Sequence, residues 1–319
     1  MVKMDGEIGF LRLIHLQGEP TVSHSTNFIT LGTAGGPVPK LHRAQPAHAI
    51  TRGKRVILVD CGEGAMQQLT RARIDFRKVH TIILSHHHFD HIGSLFTCFG
   101  INMMLQRTQP ITIYGPVGTR QIVEGLATAC DVPHRIGFGD SDQSFPHPRD
   151  FVQVVEISSR SRFNIDDIEI TCCENTHYRT EEEFGNVGPI SLSLRFDAPD
   201  RSIVYTGDTG PCGRVEDLAK GAQLLVSEMM IAEKVITQLQ SKNPHMTPER
   251  VSLISDYLNK HHLSPEQLGE LASRAGVEHV VAVHIPLDSI ISENTPDYLA
   301  QISQRFSGKV TIAEDLDQF

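Results

Sequence analysis

Short apolar runs alternate with polar, glycine-containing turns through most of the chain. The runs are rich in valine and isoleucine and are bounded by turn residues, which is typical of buried β-strands. In the first half, several turns lead into a stretch with helical spacing, so the pattern predicts repeated strand–turn–helix units. The predicted strands cover residues 28–31, 55–59, 81–85, 111–114, 152–156, 168–172, 190–195, 202–205, 224–226 and 280–283.

Helical spacing also predicts the helices of the chain. They cover residues 65–73, 95–105 and 119–130, and helices dominate residues 231–275. The stretch 231–261 forms either a lid over a pocket or part of an outer helical layer. Residues 132–150 hold three prolines and two glycines, a composition that predicts an exposed loop. This loop either borders a pocket or is a solvated connector.

Composition places the chain among ordinary globular proteins. Its 319 residues are 39% hydrophobic and 21% charged, which excludes disordered, collagenous and coiled-coil classes. The sequence contains no run of the roughly 20 apolar residues that a membrane span needs. Charged residues such as Asp5 and Arg12 interrupt the N-terminus, so we expect no secretory signal. The six cysteines show no CxxC spacing, which is typical of reduced thiols in a cytoplasmic protein.

The densest candidate chemistry is the run Ser-His-His-His-Phe-Asp-His, directly after a predicted strand. In an extended chain alternate side chains point the same way, so His86 and His88 can converge on one metal ion. A turn at the phenylalanine would direct Asp90 and His91 towards a second ion. Imidazole and carboxylate suit zinc, and manganese or iron less specifically. Apolar flanks argue against an exposed polyhistidine patch, and His87, at the wrong parity, is expected to support a ligand or face solvent.

Three more candidate ligands, His177, Asp208 and His284, stand just past predicted strands. Alone, each would more often be a satisfied core or loop residue than a ligand. Together with the histidine run, and in the same position relative to a strand, they indicate a site for two metal ions.

The sequence resembles the metallo-β-lactamase-fold hydrolases, and within them the ribonuclease Z and arylsulfatase-like branch. The resemblance covers about residues 28–312 and rests on motifs at residues 31–36, 59–64, 86–91, 110–116, 205–209 and 283–284. It implies an α/β fold, the αββα sandwich, in which two mixed sheets pack face to face and helices cover their outer faces. Residues 1–319 would form one domain, with halves that meet near residue 200 and an N-terminal extension at residues 1–20.

The resemblance also implies a binuclear centre. Two divalent ions, Zn2+ or else Mn2+ or Fe2+, would hold a bridging hydroxide that attacks an ester-type bond. The ligands would be His86, His88 and His177 for the first metal, Asp90, His91 and His284 for the second, and Asp208 for both. Asp90 would also orient the hydroxide or take up its proton. Asp60 would orient a ligand histidine, or would otherwise be a plain turn aspartate.

A further resemblance concerns the proton that the leaving group needs. In ribonuclease Z-like enzymes a glutamate after a late strand and a histidine before a late helix form a proton-donating pair. Glu228 and His262 resemble that pair, and a histidine held by a carboxylate is suited to acid catalysis. The alternative is that His262 merely precedes a helix. Ser227 departs from the pattern, because the tRNA enzymes tend to carry histidine there.

The chain also lacks a feature of the tRNA-processing members, which carry a long glycine- and proline-rich arm that grips tRNA. Only residues 196–201 connect the two strands where the arm would stand, and the net charge is −9. We therefore expect a small-molecule substrate rather than nucleic acid, and no membrane partner. The bond would be a phosphodiester, sulfate ester, carboxylic ester or lactone. A tRNA 3′-processing endonuclease is the disfavoured alternative, and dimers are common in this branch, which leaves a homodimer open.

Two other functional classes share this fold. A non-catalytic scaffold would have lost metal ligands, whereas this sequence has all seven. Diiron flavoprotein partners carry glutamate in place of the second motif histidine, and His88 argues against them. The mononuclear iron dioxygenases keep a similar motif. They stay an alternative, which only an analysis of the bound metal could exclude.

Overall fold

A computed structural model describes residues 25–137, 145–286 and 291–319 of the chain. The predicted extension at residues 1–20 lies outside these ranges, and so does the middle of the loop predicted at residues 132–150. Among the described residues, every helix is too short or too polar to cross a bilayer.

Two sheets form the centre of the fold. The first has the order β1-β2-β3-β4-β5-β6, antiparallel from β1 to β3 and parallel from β3 to β6. Its strands are β1 (Thr26–Gly32), β2 (Ala47–Arg52), β3 (Arg55–Val59), β4 (Val79–Ile83), β5 (Ile111–Gly115) and β6 (Val152–Glu156). Parallel neighbours point their carboxyl ends at the same edge of the sheet, so loops after β3 and β4 meet there.

The second sheet has the order β13-β12-β11-β10-β9-β8-β7, antiparallel from β7 to β10 and parallel from β10 to β13. Its strands are β7 (Arg162–Ile165), β8 (Ile168–Glu174), β9 (Leu192–Asp197), β10 (Ser202–Tyr205), β11 (Leu224–Glu228), β12 (His279–Val283) and β13 (Lys309–Ile312). The chain passes from one sheet to the other between β6 and β7, well before residue 200.

Helices lie around the two sheets, and most of them cover the outer faces. They are α1 (Ala65–Arg71), α2 (Phe89–Ile92), α3 (Leu95–Met104), α4 (Thr119–Ala129), α5 (Asp131–Ile136), α6 (Pro148–Phe151), α7 (Gly213–Ala219), α8 (Ala232–Lys242), α9 (Pro248–His261), α10 (Pro265–Ala275) and α11 (Ile291–Ser303). Two short 3-10 helices, Phe76–Lys78 and Glu181–Glu183, lie between them. Thr247 and Ser264 cap α9 and α10, since each side chain accepts a backbone N–H of the first turn.

Alternation along the strands builds a three-layer core. In β3, Ile57 points into the cluster between the two sheets, whereas Leu58 points into the cluster under the helices of the first half. In β12, Val281 faces the other sheet and Val280 faces the helices of the second half. Strands buried on both faces read as continuous apolar runs. The predicted αββα sandwich is therefore confirmed.

The sequence-based prediction differs from the structure in several elements. Residues 132–150 were expected to be a loop, but their described parts contain α5 and α6. Three strands, β2, β7 and β13, were not predicted. β7 and β13 are only four residues long and carry polar residues among their apolar ones, so their periodic signal is weak.

Candidate metal centre

The candidate residues lie where strands of both sheets end. Asp60 follows β3, the histidine run follows β4, Asp208 follows β10 and His284 follows β12, while Glu228 is the last residue of β11. Within each sheet these strands run parallel to one another, so their carboxyl ends bring the side chains to one edge of the sandwich.

The histidine run changes conformation at the point that the spacing predicted. His88 is extended, and the helical turn α2 starts at the next residue, Phe89. This turn directs Asp90 and His91 inwards, where both are buried, and leaves Phe89 outside with 82% of its surface exposed. Gly62 allows the turn to pack closely, because a Cβ there would overlap the carbonyl oxygen of Asp90.

The structure brings the seven candidate ligands together. The ligand atoms of His86, His88 and His177 lie within 4.8 Å of one another, and so do those of Asp90, His91 and His284. These two sets match the two ion sites that the resemblance implies.

Asp208 lies between the two sets. Its carboxylate oxygens are 3.3 Å from His91 Nε2 and 3.1 Å from His284 Nε2, on the side of the second set. They are 3.7 Å from His177 Nε2 and 4.0 Å from His86 Nε2, on the side of the first. This central position is the one that a ligand shared by two ions requires.

Asp60 holds two of the candidate ligands from behind. Its fully buried carboxylate accepts the Nδ1–H of His91 at 2.8 Å and the hydroxyl of Ser85 at 2.8 Å. The Ser85 hydroxyl is in turn 3.0 Å from His86 Nδ1, which can donate to it. The Ser85 backbone N–H and the Tyr205 hydroxyl complete the carboxylate's four hydrogen bonds, at 2.7 and 2.8 Å. Both imidazoles are thereby oriented with Nε2 towards the centre.

Unsatisfied buried atoms indicate that these residues fit metal ions. His86 Nε2, His91 Nε2 and Asp208 Oδ1 are buried without a well-aligned hydrogen bond among the described residues. Burial lowers the pKa of the His86 ring well below its ordinary value, so the ring is neutral and its lone pair is available. Neutral imidazoles and carboxylates are the ligands that zinc and similar ions take.

The charge at the centre leads to the same assignment. Burial opposes ionisation of Asp208, yet His284 and His91 hold its pKa well below the ordinary value. Burial likewise opposes protonation of His284, but Asp208 raises the pKa of that ring to about 10. Buried carboxylates need compensating positive charge. Bound cations would supply it and leave the imidazoles free to act as ligands.

His177 is oriented by the end of α9. Its Nδ1 donates to the backbone carbonyl of His261 at 3.3 Å, which leaves Nε2 directed towards the centre. Burial lowers the pKa of His177 to about 3, so the ring is neutral. The His261 side chain bonds in the opposite direction, from Nδ1 to the carbonyl of Thr176 at 2.6 Å. The helix end and the ligand-bearing loop are therefore joined by two hydrogen bonds.

Glu228 and His262 form a buried pair beside the candidate ligands. His262 Nδ1 is 2.9 and 3.1 Å from the two carboxylate oxygens of Glu228, which also accepts the backbone N–H of Thr209 at 2.9 Å. Burial disfavours the imidazolium, but the carboxylate raises the pKa of His262 above its ordinary value. The His262 ring lies 4.9 Å from that of His177, so the pair borders the centre.

Two of the candidate residues have an unusual backbone conformation. Asp60 and His284 are non-glycine residues with positive φ angles, 56° and 57°. Aspartate and histidine tolerate this left-handed region better than most residues, and such strain tends to occur at functional sites. Gly35 lies against His284, and a Cβ there would overlap the His284 carbonyl oxygen.

The centre opens into a cleft of about 570 Å3. Five of the seven candidate ligands line its floor: His88, Asp90, His177, Asp208 and His284. The remaining two, His86 and His91, are fully buried behind them.

Several supporting residues were not found by sequence reasoning. Ser85 and Tyr205 stand inside or beside the family motifs, but their contacts with Asp60 depend on the pairing of β3 with β4 and on the packing of β10 against the first sheet. His261 acts through its backbone, which leaves no residue-type signal. His87, expected to support a ligand or face solvent, is half-buried, and its Nε2 is 2.8 Å from the hydroxyl of Thr119 at the start of α4.

Comparison with known proteins gives a family and several relatives. The family model described as the Beta-lactamase superfamily domain matches residues 55–285, a range that contains all seven candidate ligands. Ribonuclease Z of Mycobacterium avium (strain 104) is 29% identical over 291 residues, which are 90% of this chain and 96% of that protein.

Two solved structures share the fold. The metallo-β-lactamase fold protein YhfI from Bacillus subtilis has a TM-score of 0.67 at 17% identity, over 92% of this chain and 98% of that one. The short form of human tRNase Z has a TM-score of 0.62 at 19% identity, again over 92% and 98%.

Proposed function

The chain belongs to the metallo-β-lactamase superfamily, and from this premise we propose that it is a phosphodiesterase with two Zn2+ ions that acts on a small molecule. The family is one of metal-dependent hydrolases, so the general chemistry is hydrolysis. The proposal adds three finer points: the number of ions, the bond that is cleaved and the size of the substrate.

The observation that carries the proposal is the buried pair of Glu228 and His262 at the edge of the centre. An alkoxide that leaves from a phosphodiester needs a proton, which a positioned histidine can donate. Glu228 binds Nδ1 and so leaves Nε2 of His262 free to serve the leaving oxygen. A lactonase has less use for this pair, because its alkoxide stays tethered to the product.

The centre supports the roles of the other residues. His86, His88 and His177 would hold one ion and Asp90, His91 and His284 the other, with Asp208 between them. Two such ions would supply a water whose pKa is lowered towards about 7 and would polarise the phosphoryl oxygens.

The protein's own groups then move the protons. Asp90 lies at the floor of the cleft and can accept the proton that the attacking water loses. The water oxygen forms the new bond to phosphorus, and the ester oxygen leaves with a proton from His262. One proton taken up and one delivered keep the step balanced.

Two observations favour a small substrate. The connection between β9 and β10 is a tight turn, closed by a bond from the Ala198 N–H to the Arg201 carbonyl at 2.9 Å. Residues 178–207 are all described, and their regular structure consists of the 3-10 helix Glu181–Glu183, β9 and β10. The cleft volume of about 570 Å3 falls in the range of roughly 300–1,000 Å3 that is usual for small-molecule sites.

A second candidate is an RNA endonuclease of the ribonuclease Z type. It is favoured by the Mycobacterium avium relative, whose name is Ribonuclease Z and which matches this chain over 96% of its own length. The net charge of −9 weighs against it, because RNA binding depends on neutralising many phosphates.

The test compares three substrates with the zinc-loaded protein: bis(4-nitrophenyl) phosphate, 4-nitrophenyl acetate and a precursor tRNA. Turnover of the phosphodiester that is lost in Asp90→Ala is the expected result. Specific cleavage of the tRNA at its 3′ end would favour the endonuclease. Turnover of the acetate alone would contradict a phosphodiesterase.

A further inference from the structure

The cleft above the metal centre has a polar floor and largely apolar walls. The floor carries the candidate ligands described above. One wall is the helical hairpin formed by α8 and α9, which presents Val235, Leu239, Tyr257 and Leu258 to the cleft. The opposite wall includes Val38 and Phe89. The sequence left open whether this hairpin is a lid or a plain outer layer.

The hairpin contributes little to the core. Both helices lie wholly within the described residues, and Ile236 is the only buried side chain of α8, as His261 is of α9. A helix that only covers a sheet buries a whole apolar stripe. Here Val235, Leu239 and Leu258 are half-buried, and they border the cleft instead.

The base of the hairpin is fixed although its body is exposed. Where α8 begins, the Met230 N–H donates to the Leu263 carbonyl at 2.9 Å. Where α9 ends, His261 bonds to Thr176 at 2.6 Å, as described above. The apolar wall therefore stands in a defined position relative to the floor.

The opposite wall exposes apolar surface beside the ligands. Phe89 is 82% exposed although it lies between two candidate ligands, and Val38 is 59% exposed. Large exposed apolar side chains that line a concave surface mark binding sites more often than chance exposure does.

We propose that the substrate carries an apolar hydrocarbon group, bound between the α8–α9 hairpin and Phe89, while its ester group lies on the floor. This rests on the proposed function and names the substrate class: an amphiphilic phosphodiester with an alkyl or aryl group. A nucleobase fits less well, since its polar edges require hydrogen-bonding partners. Polar side chains besides the candidate ligands line the cleft, among them Lys40, Gln238, Lys242 and Asn243, and the last two lie at the tip of the hairpin, so nucleoside monophosphates are the competing ligands that the test includes.

The expected effect follows from the transfer of hydrocarbon out of water. Each added methylene that reaches the wall should tighten binding by up to about fourfold, the equivalent of about 0.8 kcal/mol. The gain should stop once the chain extends beyond the tip of the hairpin. Replacing Leu239 with asparagine keeps a similar size but puts an amide into the wall, so most of the chain-length dependence should disappear.

The experiment measures binding rather than turnover. Alkylphosphonates of increasing chain length are titrated calorimetrically into the zinc-loaded protein. The neutral dye N-phenyl-1-naphthylamine is titrated by fluorescence into protein with and without zinc. Leu239→Asn is compared with Leu105→Asn, a matched change at an exposed leucine that follows α3 and does not line the cleft. Val235→Asn is a second wall variant, and thermal melting checks the folding of each.

The outcomes separate this inference from the proposed function. Affinity that rises with chain length in the wild type and Leu105→Asn, but not in the wall variants, supports the inference. Dye binding that is kept in Leu105→Asn and lost in the wall variants, without phosphonate binding, would support an apolar binding wall and contradict a phosphodiesterase. If phosphonate affinity did not depend on chain length and the dye did not bind, the inference of a hydrocarbon-binding wall would be overturned and the proposed function would stay intact. Nucleoside monophosphates that bind more tightly than every alkylphosphonate would also overturn it.

Discussion

Asp60→Asn tests how the metal centre is built. It replaces one carboxylate oxygen with an NH2 group and leaves the size of the side chain almost unchanged. The carboxylate is fully buried and accepts four hydrogen bonds. One oxygen accepts the Ser85 backbone N–H, which cannot rotate away, so the asparagine must keep its carbonyl oxygen there. Its NH2 group then faces the hydroxyls of Ser85 and Tyr205 and the Nδ1 of His91.

The consequence for each neighbour differs. The hydroxyls of Ser85 and Tyr205 can turn and accept from the new NH2 group. His91 Nδ1 can do so only as a neutral ring protonated at Nε2, and that tautomer cannot bind a metal through Nε2. We therefore expect the metal-free protein to lose about 1–3 kcal/mol of unfolding free energy, the cost of one poorly satisfied buried polar group. Metal affinity should fall by about 10–100-fold, as for other residues that orient ligands.

The assay combines urea unfolding of the metal-free protein with zinc titration against a competing chelator. Ser85→Ala is the matched control, since it removes the support of His86 but leaves the hydrogen bond that His91 donates to Asp60. It should weaken zinc binding less than Asp60→Asn does. If Asp60→Asn bound two ions with wild-type affinity, the bond from His91 to Asp60 would not be what directs the His91 ring at a metal, and the reasoning would be refuted.

Three other expectations concern the reaction, the core and the thiols. His262→Asn should lower kcat for a dialkyl phosphodiester, whose alkoxide leaving group needs a proton, by about 10²–10⁴-fold and Glu228→Gln somewhat less. Bis(4-nitrophenyl) phosphate and 4-nitrophenyl acetate both release 4-nitrophenolate, which leaves without a proton, so their turnover should be little affected in stopped assays. Leu194→Ala opens a cavity between the sheets, where Leu194 is fully buried, and should cost about 2–5 kcal/mol in urea unfolding. All six cysteines are buried free thiols, and burial raises the pKa of Cys172 and Cys212 to about 12. Ellman's reagent should therefore leave the native protein unmodified and react only after unfolding, and rapid reaction of the native protein would contradict this packing.

Much of the site could be predicted because the candidate ligands stand at or just past the ends of predicted strands. A ligand that directly follows an apolar run is visible in the sequence, and parallel strands then bring several such ligands to one edge. The neighbouring cysteines of β8 show the same logic within the core. Cys172 faces the space between the sheets and Cys173 faces the helices, as expected for adjacent residues of a strand that is buried on both faces.

The residues that escaped prediction act through contacts that sequence spacing does not encode. Tyr205 reaches Asp60 from 145 positions away along the chain, across the interface of the two sheets. His48 is fully buried on β2, beside the rings of Phe28 and Tyr205, and burial lowers its pKa to about 3. Nothing in its local sequence distinguishes it from an exposed strand histidine. Only the packing of the second sheet against the first reveals these partners.

The end of α9 lies between the apolar wall and the candidate metal centre. Its last turn supplies Tyr257 to the wall and the His261 carbonyl to His177, and the next residue is His262, the proposed proton donor. The Tyr257 ring lies 4.9 Å from that of His261 and 6.4 Å from that of His262, so it supports both.

A comparison of the two walls follows from this arrangement. Tyr257→Leu should lower kcat as well as raise KM, because it loosens the helix end that places His262. Phe89→Leu, on the opposite wall, removes an exposed ring and should raise KM alone. Steady-state kinetics with dialkyl phosphodiesters, whose alkoxide leaving group needs a proton, measures both constants. Equal effects of the two variants on kcat would mean that the hairpin binds substrate without positioning the proton donor.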